Sequence, residues 1–338
     1  MAVIPVTPAT DLSALIASDN VSPGDVLVLE DGEYFQTVVV SKDYLRIVAK
    51  GKKAVFNGMG LLLTGFILNG VTGVEVDGLI MMNYRGTGIS ITGGGGHRIV
   101  GNKINGMQGN GIGVASSRDN LLWRNEICNV FRGVQVFFTS VNNRIIANLA
   151  TLCADDGFEC FLQNDRDNVF AGNVSVNNGA YGLYSAGSNN LLLDNILIGN
   201  RIGGLNINTT GNAVAIGNII KDNGEVGSFL ADLANLFFGE NKVEGSLLQG
   251  LAVVGTGDNG IFQQNRISHN TNAGIFLSAL TRLNFIYKNK LRCNLPFNIR
   301  DTGNNIFVDN LDEPCKPNEF PFGDCHACFE GFAEISKE

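Results

Sequence analysis

An all-β coil, in which short strands stack turn upon turn into three parallel sheets, is the fold class that this sequence predicts. One observation is an asparagine that returns at steps of 21 to 25 residues, at Asn102, Asn125, Asn148, Asn173, Asn195, Asn218, Asn241, Asn265, Asn289 and Asn310. The other is that none of the seven prolines lies between residues 24 and 295. A fixed period of this length marks a repeat architecture. Proline removes a ladder donor, so a long stack of central strands excludes it.

Each period has the same sequence pattern. Residues 120–136, NLLWRNEICNVFRGVQV, are an example. An apolar run leads to the periodic Asn, a short apolar pair, a polar turn, and a Gly followed by alternating apolar residues. These runs are too short for helices and are separated by Gly and Asn, which predicts three short strands per turn of the coil. The periodic Asn is predicted to sit inside a turn and bond its neighbours at the strand spacing of about 4.8 Å. Asn also tolerates the left-handed backbone that a sharp turn needs.

These repeats resemble those of the right-handed parallel β-helix proteins with the pectin-lyase-like fold. Residues 11–34, DLSALIASDNVSPGDVLVLEDGEY, are similar to the start of that fold, in which a short helix precedes a Pro-Gly-Asp turn and a strand. The resemblance implies a single-stranded right-handed coil of three parallel sheets and about 10–11 turns. It divides the chain into an N-terminal helical cap (1–24), the coil (25–310) and a Cys- and Pro-rich C-terminal tail or cap (311–338). That scaffold carries lyases, hydrolases, epimerases, adhesins and structural proteins, so it implies no single function.

The composition of the chain limits which classes of partner and which cellular locations are expected. The net charge is −8 and only 17% of residues are charged, so the basic footprint of a nucleic-acid-binding protein is absent. Residues 1–20 have no charged n-region followed by a long apolar stretch, and no run of about 18 apolar residues predicts a membrane span. We therefore expect a cytoplasmic chain, or one deposited on a surface without a classical signal.

Aligning the turns on their common Gly predicts which side chains share one face. Because side chains alternate along a strand, the second residue after each Gly should point outward. That outward row comprises Ser90, Gly113, Gln135, Glu159, Tyr184, Asn206, Phe229, Ala252 and Phe276. The residue just before the Gly is expected on the same face, which adds Arg132, Asp156 and Tyr181, with Asp155 at the lip.

This face supplies the candidate site. The candidate catalytic residues are Asp155, Asp156, Glu159 and Arg132, and the candidate substrate-binding residues are Tyr181, Tyr184, Gln135 and Asn206. Carboxylates suit acid–base work on a glycosidic bond, and aromatic rings stack on sugar faces. The long step from Asn148 to Asn173 implies extra residues in the turn at 163–167, which would bring Asp165 and Arg166 to the rim.

Residues 154–160, ADDGFEC, resemble the Asp-Asp-Cys strand of polygalacturonases, in which the paired aspartates act on a glycosidic bond. The chain departs from that family on both sides of the segment. The preceding turn has Arg132 where the family has an acid, and the following turns contain no Gly-His-Gly.

Two functions remain open. The absence of a complete catalytic signature favours a non-catalytic structural or surface protein of the coat, appendage or adhesive type, with or without glycan binding, in which Arg132 merely pairs with nearby acids. The cluster of acids, Arg and Tyr favours the alternative, a polysaccharide lyase or glycoside hydrolase that acts on acidic glycans. The partners expected are polysaccharides, other surface proteins or further copies of the chain, and not nucleic acid or membranes.

The seven cysteines fall into two groups. Those within the turns, Cys128, Cys153, Cys160 and Cys293, are expected to be buried thiols. In the tail, Cys315, Cys325 and Cys328 with His326 are compatible with a zinc site, a disulfide or a cross-link to a partner. No cofactor is implied with certainty; zinc in the tail and Ca²⁺ among the acids of the candidate site are the metals that the sequence allows.

Overall fold

The computed structural model describes residues 1–209 and 211–315, which form an all-β parallel coil. Its three sheets, numbered 1 to 3 below, contain 14, 13 and 12 strands, so the coil has about 13 turns. The only helix in the described part of the chain is α1 (Leu12–Ala17). No helix among these residues is long and apolar enough to cross a membrane.

Sheet 1 receives the first strand of each turn and includes the N-terminal strand. Its strands are β1 (Val3–Val6), β2 (Val26–Leu29), β5 (Arg46–Ala49), β8 (Glu75–Asp77), β11 (Arg98–Val100), β14 (Leu121–Trp123), β17 (Arg144–Ile146), β20 (Val169–Ala171), β23 (Asn190–Leu193), β26 (Ala213–Ile216), β29 (Leu236–Gly239), β32 (Ile261–Gln263), β35 (Arg282–Tyr287) and β38 (Asn304–Val308).

Sheet 2 receives the second strand of each turn. Its strands are β3 (Gly32–Tyr34), β6 (Ala54–Asn57), β9 (Ile80–Met82), β12 (Lys103–Asn105), β15 (Glu126–Cys128), β18 (Leu149–Thr151), β21 (Val174–Val176), β24 (Ile196–Ile198), β27 (Ile219–Lys221), β30 (Lys242–Glu244), β33 (Arg266–Ser268), β36 (Lys290–Arg292) and β39 (Leu311–Glu313).

Sheet 3 receives the third strand of each turn and carries the candidate site. Its strands are β4 (Val38–Val40), β7 (Phe66–Asn69), β10 (Ile89–Thr92), β13 (Ile112–Ala115), β16 (Val134–Phe137), β19 (Phe158–Cys160), β22 (Tyr181–Ser185), β25 (Gly203–Asn208), β28 (Val226–Ala231), β31 (Gln249–Val254), β34 (Ala273–Leu277) and β37 (Phe297–Asp301).

The first turns of the coil correct the predicted count of 10–11. The prediction followed the Asn period, which begins at Asn102, whereas the strands from β2 to β9 already form turns without a ladder asparagine. The predicted helical cap is also corrected. Only the six residues of α1 are helical, and β1 pairs in parallel with β2 and so extends sheet 1 beyond the helix.

The core is a narrow column of apolar side chains that stack on their counterparts one turn away. In sheet 1 the inward row pairs Ile99 with Leu122, Leu122 with Ile145, and Ile145 with Phe170, and none of these side chains is exposed to solvent. Because this row is buried along the coil, each turn removes further apolar surface area from water. The regular period of the sequence therefore reflects regular burial.

The predicted asparagine ladder is confirmed. The side-chain amide of Asn125 donates to Oδ1 of Asn148 at 2.9 Å, and its backbone N–H donates to the same oxygen at 2.9 Å. The second amide proton goes to the carbonyl of Ile99 at 2.9 Å. The same pattern links successive asparagines along the coil, so each buried amide is satisfied by the next turn.

The left-handed backbone of these turns lies one residue before each ladder asparagine, not on the asparagine itself. Arg124, Ala147 and Asp194 have φ of 55°, 53° and 52°, and each precedes a ladder residue. The preceding residue therefore turns the chain, and the asparagine supplies hydrogen bonds. Positive φ at ordinary residues such as Ala147 is sterically unfavourable, and the ladder bonds offset that cost in every turn.

The other two corners of the coil carry ladders that the sequence analysis did not identify. One runs from His97 through Asn120, Asn143, Asn168 and Asn190, and the other includes Asn178, Asn200 and Asn223. Other residue types interrupt or begin both of these ladders, so their period is not evident in the sequence. All three corners of a turn are therefore fixed by buried side-chain hydrogen bonds.

His97 occupies the first position of one ladder and is fully buried. Its Nδ1 accepts a hydrogen bond from the backbone N–H of Val74 at 3.2 Å, which requires the neutral ring. Burial lowers the pKa of His97 to about 4, against the opposing effect of nearby backbone groups.

We expect Asn195→Ala, in the middle of the predicted ladder, to lower the free energy of unfolding by at least about 2 kcal/mol, because it leaves buried donors on Asn173 and the carbonyl of Phe170 without partners. The control is Asn310→Ala at the last, partly exposed position of the ladder, where water can replace the lost bonds. Urea denaturation monitored by circular dichroism measures both. Equal losses would contradict a role for ladder burial.

The buried neutral His97 predicts a loss of stability in acid. Its folded-state pKa of about 4 lies below the unfolded value, so its contribution is complete above pH 6.5 and is lost as the pH falls toward 4. The loss should reach up to about 3 kcal/mol. Thermal unfolding from pH 8 to 4.5 should show a shallower pH dependence for His97→Asn than for the wild type, and identical slopes would refute the assignment.

Candidate functional site

The register of sheet 3 reproduces the outward row expected from the sequence. Gly113 pairs with Gln135, Gln135 with Glu159, Glu159 with Tyr184, and Tyr184 with Asn206. The row continues through Phe229, Ala252 and Phe276. Side chains from separate turns are therefore neighbours at the strand spacing of about 4.8 Å.

Arg132 lies at the centre of the charged cluster. Its Nη2 is 2.7 Å from Oδ2 of Asp155, and its Nε is 3.2 Å from Oε2 of Glu159, so both acids come from the next turn. The guanidinium also lies over the ring of Phe131, with Cζ 4.7 Å from the ring centroid. Arg132 is thus held by two carboxylates and one aromatic face, and only 23% of its side chain is exposed.

Glu159 is the most enclosed acid of the cluster, with 4% of its side chain exposed. Its Oε2 accepts a hydrogen bond from the Gln135 amide at 2.6 Å, and the Gln135 carbonyl oxygen in turn accepts one from Asn110 at 2.7 Å. Burial raises the pKa of Glu159, while Arg132 and Gln135 oppose the rise. Through Oε2 this carboxylate binds both Gln135 and Arg132, and so it fixes the guanidinium.

Asp156 is also buried, but its environment differs from that of Glu159. Its Oδ1 accepts one hydrogen bond, from the backbone N–H of Tyr181 at 2.8 Å. Burial raises the pKa of Asp156 to about 7, and the charges of Asp155 and Glu159 act in the same direction, against the Tyr181 N–H and Arg132. A carboxyl group with a pKa near neutral pH suits proton transfer.

Two tyrosines extend the face by one turn beyond the acids. The rings of Tyr181 and Tyr184 are half-buried, and their centroids are 6.4 Å apart. Burial raises the pKa of both hydroxyls, so both stay protonated at neutral pH. Asn206 lies on the following turn, where it pairs in register with Tyr184. The tyrosines therefore offer an aromatic surface directly beside Asp156 and Glu159.

The structure thus brings all eight candidate residues of the coil together on one face. The sequence did not reveal two features of this site. The outward row does not indicate that Asp156 and Glu159 are buried, since their covering comes from neighbouring side chains. The ring of Phe131 was overlooked, although its position beside Arg132 was the available signal.

The expected contribution of Asp165 and Arg166 to the rim is corrected. Asp165 is fully buried and accepts hydrogen bonds from the backbone N–H groups of Ser140 and Leu162, each at 2.8 Å. It therefore holds the lengthened turn together. Arg166 is exposed and pairs with its neighbour Asp167.

The metal sites that the sequence allows have no counterpart in the described residues. No group of three or more His, Cys, Asp or Glu within 1–209 and 211–315 is arranged to hold a metal ion. Cys315 is joined to Cys293 in a disulfide, which closes a span of 22 residues at the last turn. Cys293 is therefore not the free core thiol expected. Cys325, Cys328 and His326 lie outside the described residues.

Comparisons with known proteins place this geometry in context. A family model described as right handed beta helix region matches residues 64–218 and 177–312. Curated protein sequences give no match.

Solved structures of similar fold include the A-module of the mannuronan C-5 epimerase AlgE4 from Azotobacter vinelandii, with 16% identity, a TM-score of 0.62, and coverage of 90% of this chain and 92% of that one. The pectate lyase Pel9A has 15% identity, a TM-score of 0.57, and coverage of 71% and 76%. The catalytic domain of a GH87 α-1,3-glucanase in complex with tetrasaccharides has 15% identity, a TM-score of 0.62, and coverage of 93% and 66%.

These likenesses, at low identity, establish the shared fold. They also correct the preference for a non-catalytic coat, appendage or adhesive protein, because the similar structures are enzymes: an epimerase, a lyase and a glucanase. The alternative that the sequence left open, an enzyme that uses the acid, Arg and Tyr face, is the better supported of the two.

Asp156 should titrate with a pKa near 7 in a ¹³C NMR experiment that follows the aspartate carboxyl carbons. Glu159→Gln should lower that pKa by roughly one unit, because it removes a nearby negative charge. The control, Glu240→Gln at an exposed residue, should leave it unchanged. An Asp156 pKa near 4, or one that does not respond to Glu159→Gln, would refute this account of the cluster.

Proposed function

The chain belongs to the right-handed β-helix family, and on that scaffold we propose that it is a glycoside hydrolase that cleaves a polysaccharide. The observation that carries this proposal is Asp156, a buried carboxyl group with a pKa of about 7 beside a second, more accessible carboxylate and two tyrosines. Hydrolysis of a glycosidic bond needs one carboxyl group that retains a proton and one that is ionised.

In this proposal Asp156 is the general acid, which donates its proton to the oxygen of the leaving sugar. Asp155 is the second carboxylate, because 27% of its side chain is exposed whereas only 4% of the Glu159 side chain is. It activates the attacking water or stabilises the positive charge that develops on the sugar ring. Its ion pair with Arg132 at 2.7 Å fixes its position beside Asp156.

The remaining residues of the cluster position these groups. Glu159 is bound to both Gln135 and Arg132, so it holds the guanidinium rather than touches the substrate. Tyr181 and Tyr184 provide the surface on which a sugar ring stacks, which orients the bond toward Asp156.

Hydrolysis is favoured over elimination by the state of Arg132. A lyase would need a base to remove a proton from the sugar ring, and Arg132 is the candidate that the sequence offers for that role. The Arg132 guanidinium is bound to Asp155 at 2.7 Å and to Glu159 at 3.2 Å, so it is already engaged with two protein carboxylates and is not free to act on a sugar ring. Asp156, by contrast, makes no ion pair with the described residues that would prevent it from donating a proton.

A polysaccharide substrate is supported by the similar structures, which are named for mannuronan, pectate and α-1,3-glucan. Their names span acidic and neutral polymers, so they do not choose between the two. The sequence favours an acidic glycan, which is one of these two classes of polymer.

The test is release of reducing ends from a panel of neutral and uronic-acid polysaccharides. Wild type should cleave at least one polymer, and Asp156→Asn should lower kcat/KM by about 10²–10⁴-fold. Because the acid must be protonated, wild-type kcat/KM should fall as the pH rises through about 7.

The matched control is Asp167→Asn, an acid paired with Arg166 away from the cluster, which should keep full activity. Absence of cleavage on every polymer, or equal activity of wild type and Asp156→Asn, would overturn the proposal. Products with unsaturated sugar ends would show elimination in place of hydrolysis and would also contradict it.

A further inference from the structure

The outward row of sheet 3 changes character after Tyr184. Asn206 follows on the next turn, and then Phe229, Ala252 and Phe276 on three successive turns. Aromatic rings thus recur on every second turn, with a smaller side chain between them. Tyr184, Phe229 and Phe276 are all half-buried, whereas Asn206 and Ala252 are almost completely covered.

The distance between successive rings follows from the strand spacing. Adjacent strands are about 4.8 Å apart, so successive rings of the row are separated by about twice that distance. An extended chain of pyranose rings advances by about one strand spacing per sugar. Every second sugar of such a chain would therefore meet an aromatic ring, and the sugars between would lie over Asn206 and Ala252.

The charges along this row are few. Beside it runs a parallel row in which Tyr181, Gly203, Val226, Gln249 and Ala273 pair in succession, and none of these carries a charge at neutral pH. Two charges of opposite sign, Arg201 and Glu225, lie in the adjoining turns. The next charge on the row itself is Arg300, whose guanidinium lies 5.6 Å from the centroid of Phe276.

The charged cluster at the start of the row is acidic. It contains the acids Asp155, Asp156 and Glu159 and a single cation, Arg132, which is already paired twice. A polymer with a carboxylate on each sugar would therefore meet repulsion at these acids. From Tyr184 to Ala252 the row carries no cation to offset it, and the first cation is Arg300, one turn beyond Phe276.

We propose that Tyr184, Phe229 and Phe276 form an aromatic track that binds an uncharged, extended glycan chain, with one ring under every second sugar. The proposal rests on the proposed hydrolase activity for its direction, since it leads the chain into the face beside Asp156. It departs from the acidic glycan that the sequence suggested. At one sugar per turn, five sugars span the four steps from Tyr184 to Phe276.

Binding is measured without turnover, in the Asp156→Asn background, by calorimetry with neutral oligosaccharides of two to six sugars from several linkage types and with uronic-acid oligomers of the same lengths. The affinity for the preferred neutral series should rise with length up to five sugars. Phe229→Ala and Phe276→Ala should each weaken binding of the longest oligomers by about three- to ten-fold and leave the disaccharide unaffected.

The matched control is Phe237→Ala, a half-buried phenylalanine on β29 in sheet 1, on the far side of the same region of the coil. It should not change binding. Phe229→Leu keeps apolar volume but removes the ring face, so it should show the same loss as Phe229→Ala while preserving the fold.

Three outcomes would overturn the track. One is tighter binding of uronic-acid oligomers than of neutral ones, and another is unchanged affinity in both Phe229 variants. The third is concentration-dependent self-association that Phe229→Ala abolishes, which would assign this face to a second copy of the chain. Because these measurements use a catalytically blocked protein, they succeed or fail independently of whether the wild type hydrolyses any polymer.

Discussion

The hydrogen bond from one buried side-chain amide to the next is the interaction on which this structure depends. In the central ladder each Oδ1 accepts two protons from the asparagine of the previous turn, and each amide nitrogen donates both of its own. A slip of one residue would leave several of these groups buried and unpaired at once. The ladder therefore fixes register as well as stability, and register decides which side chains meet on sheet 3.

The candidate site is a direct consequence of that register. Arg132, Asp155 and Glu159 are remote from the ladder, yet they meet because adjacent turns are held in step. The guanidinium then compensates two carboxylates in a largely enclosed place, where an unpaired charge would be costly. Asp156 is left as the acid with one hydrogen bond and little compensation, which is why its pKa rises to about 7. The same packing that stabilises two acids thus leaves the third able to exchange a proton.

Much of this arrangement was accessible from the sequence, because a strict repeat converts sequence position into spatial position. The confirmed row from Gln135 to Phe276 followed from aligning one Gly per turn. Three features were not accessible. The turns before Asn102 lack the ladder residue that the count relied on, the covering of Asp156 depends on side chains of other turns, and the pairing of Cys293 with Cys315 joins residues that share no motif. Function was the least accessible, since the scaffold is common to many activities.

Because the turns stack one on another, the length of the proposed aromatic track can change without a change in the charged cluster around Arg132. Each turn contacts mainly its two neighbours, so a turn inserted beyond Asn206 with its own ladder asparagine would leave Arg132 and Asp156 undisturbed. Whole-turn duplication or deletion is then a route by which a lineage, or a designer, can lengthen or shorten the proposed aromatic track while the charged cluster stays the same. In this fold the length of such a track is set by the number of turns that carry it.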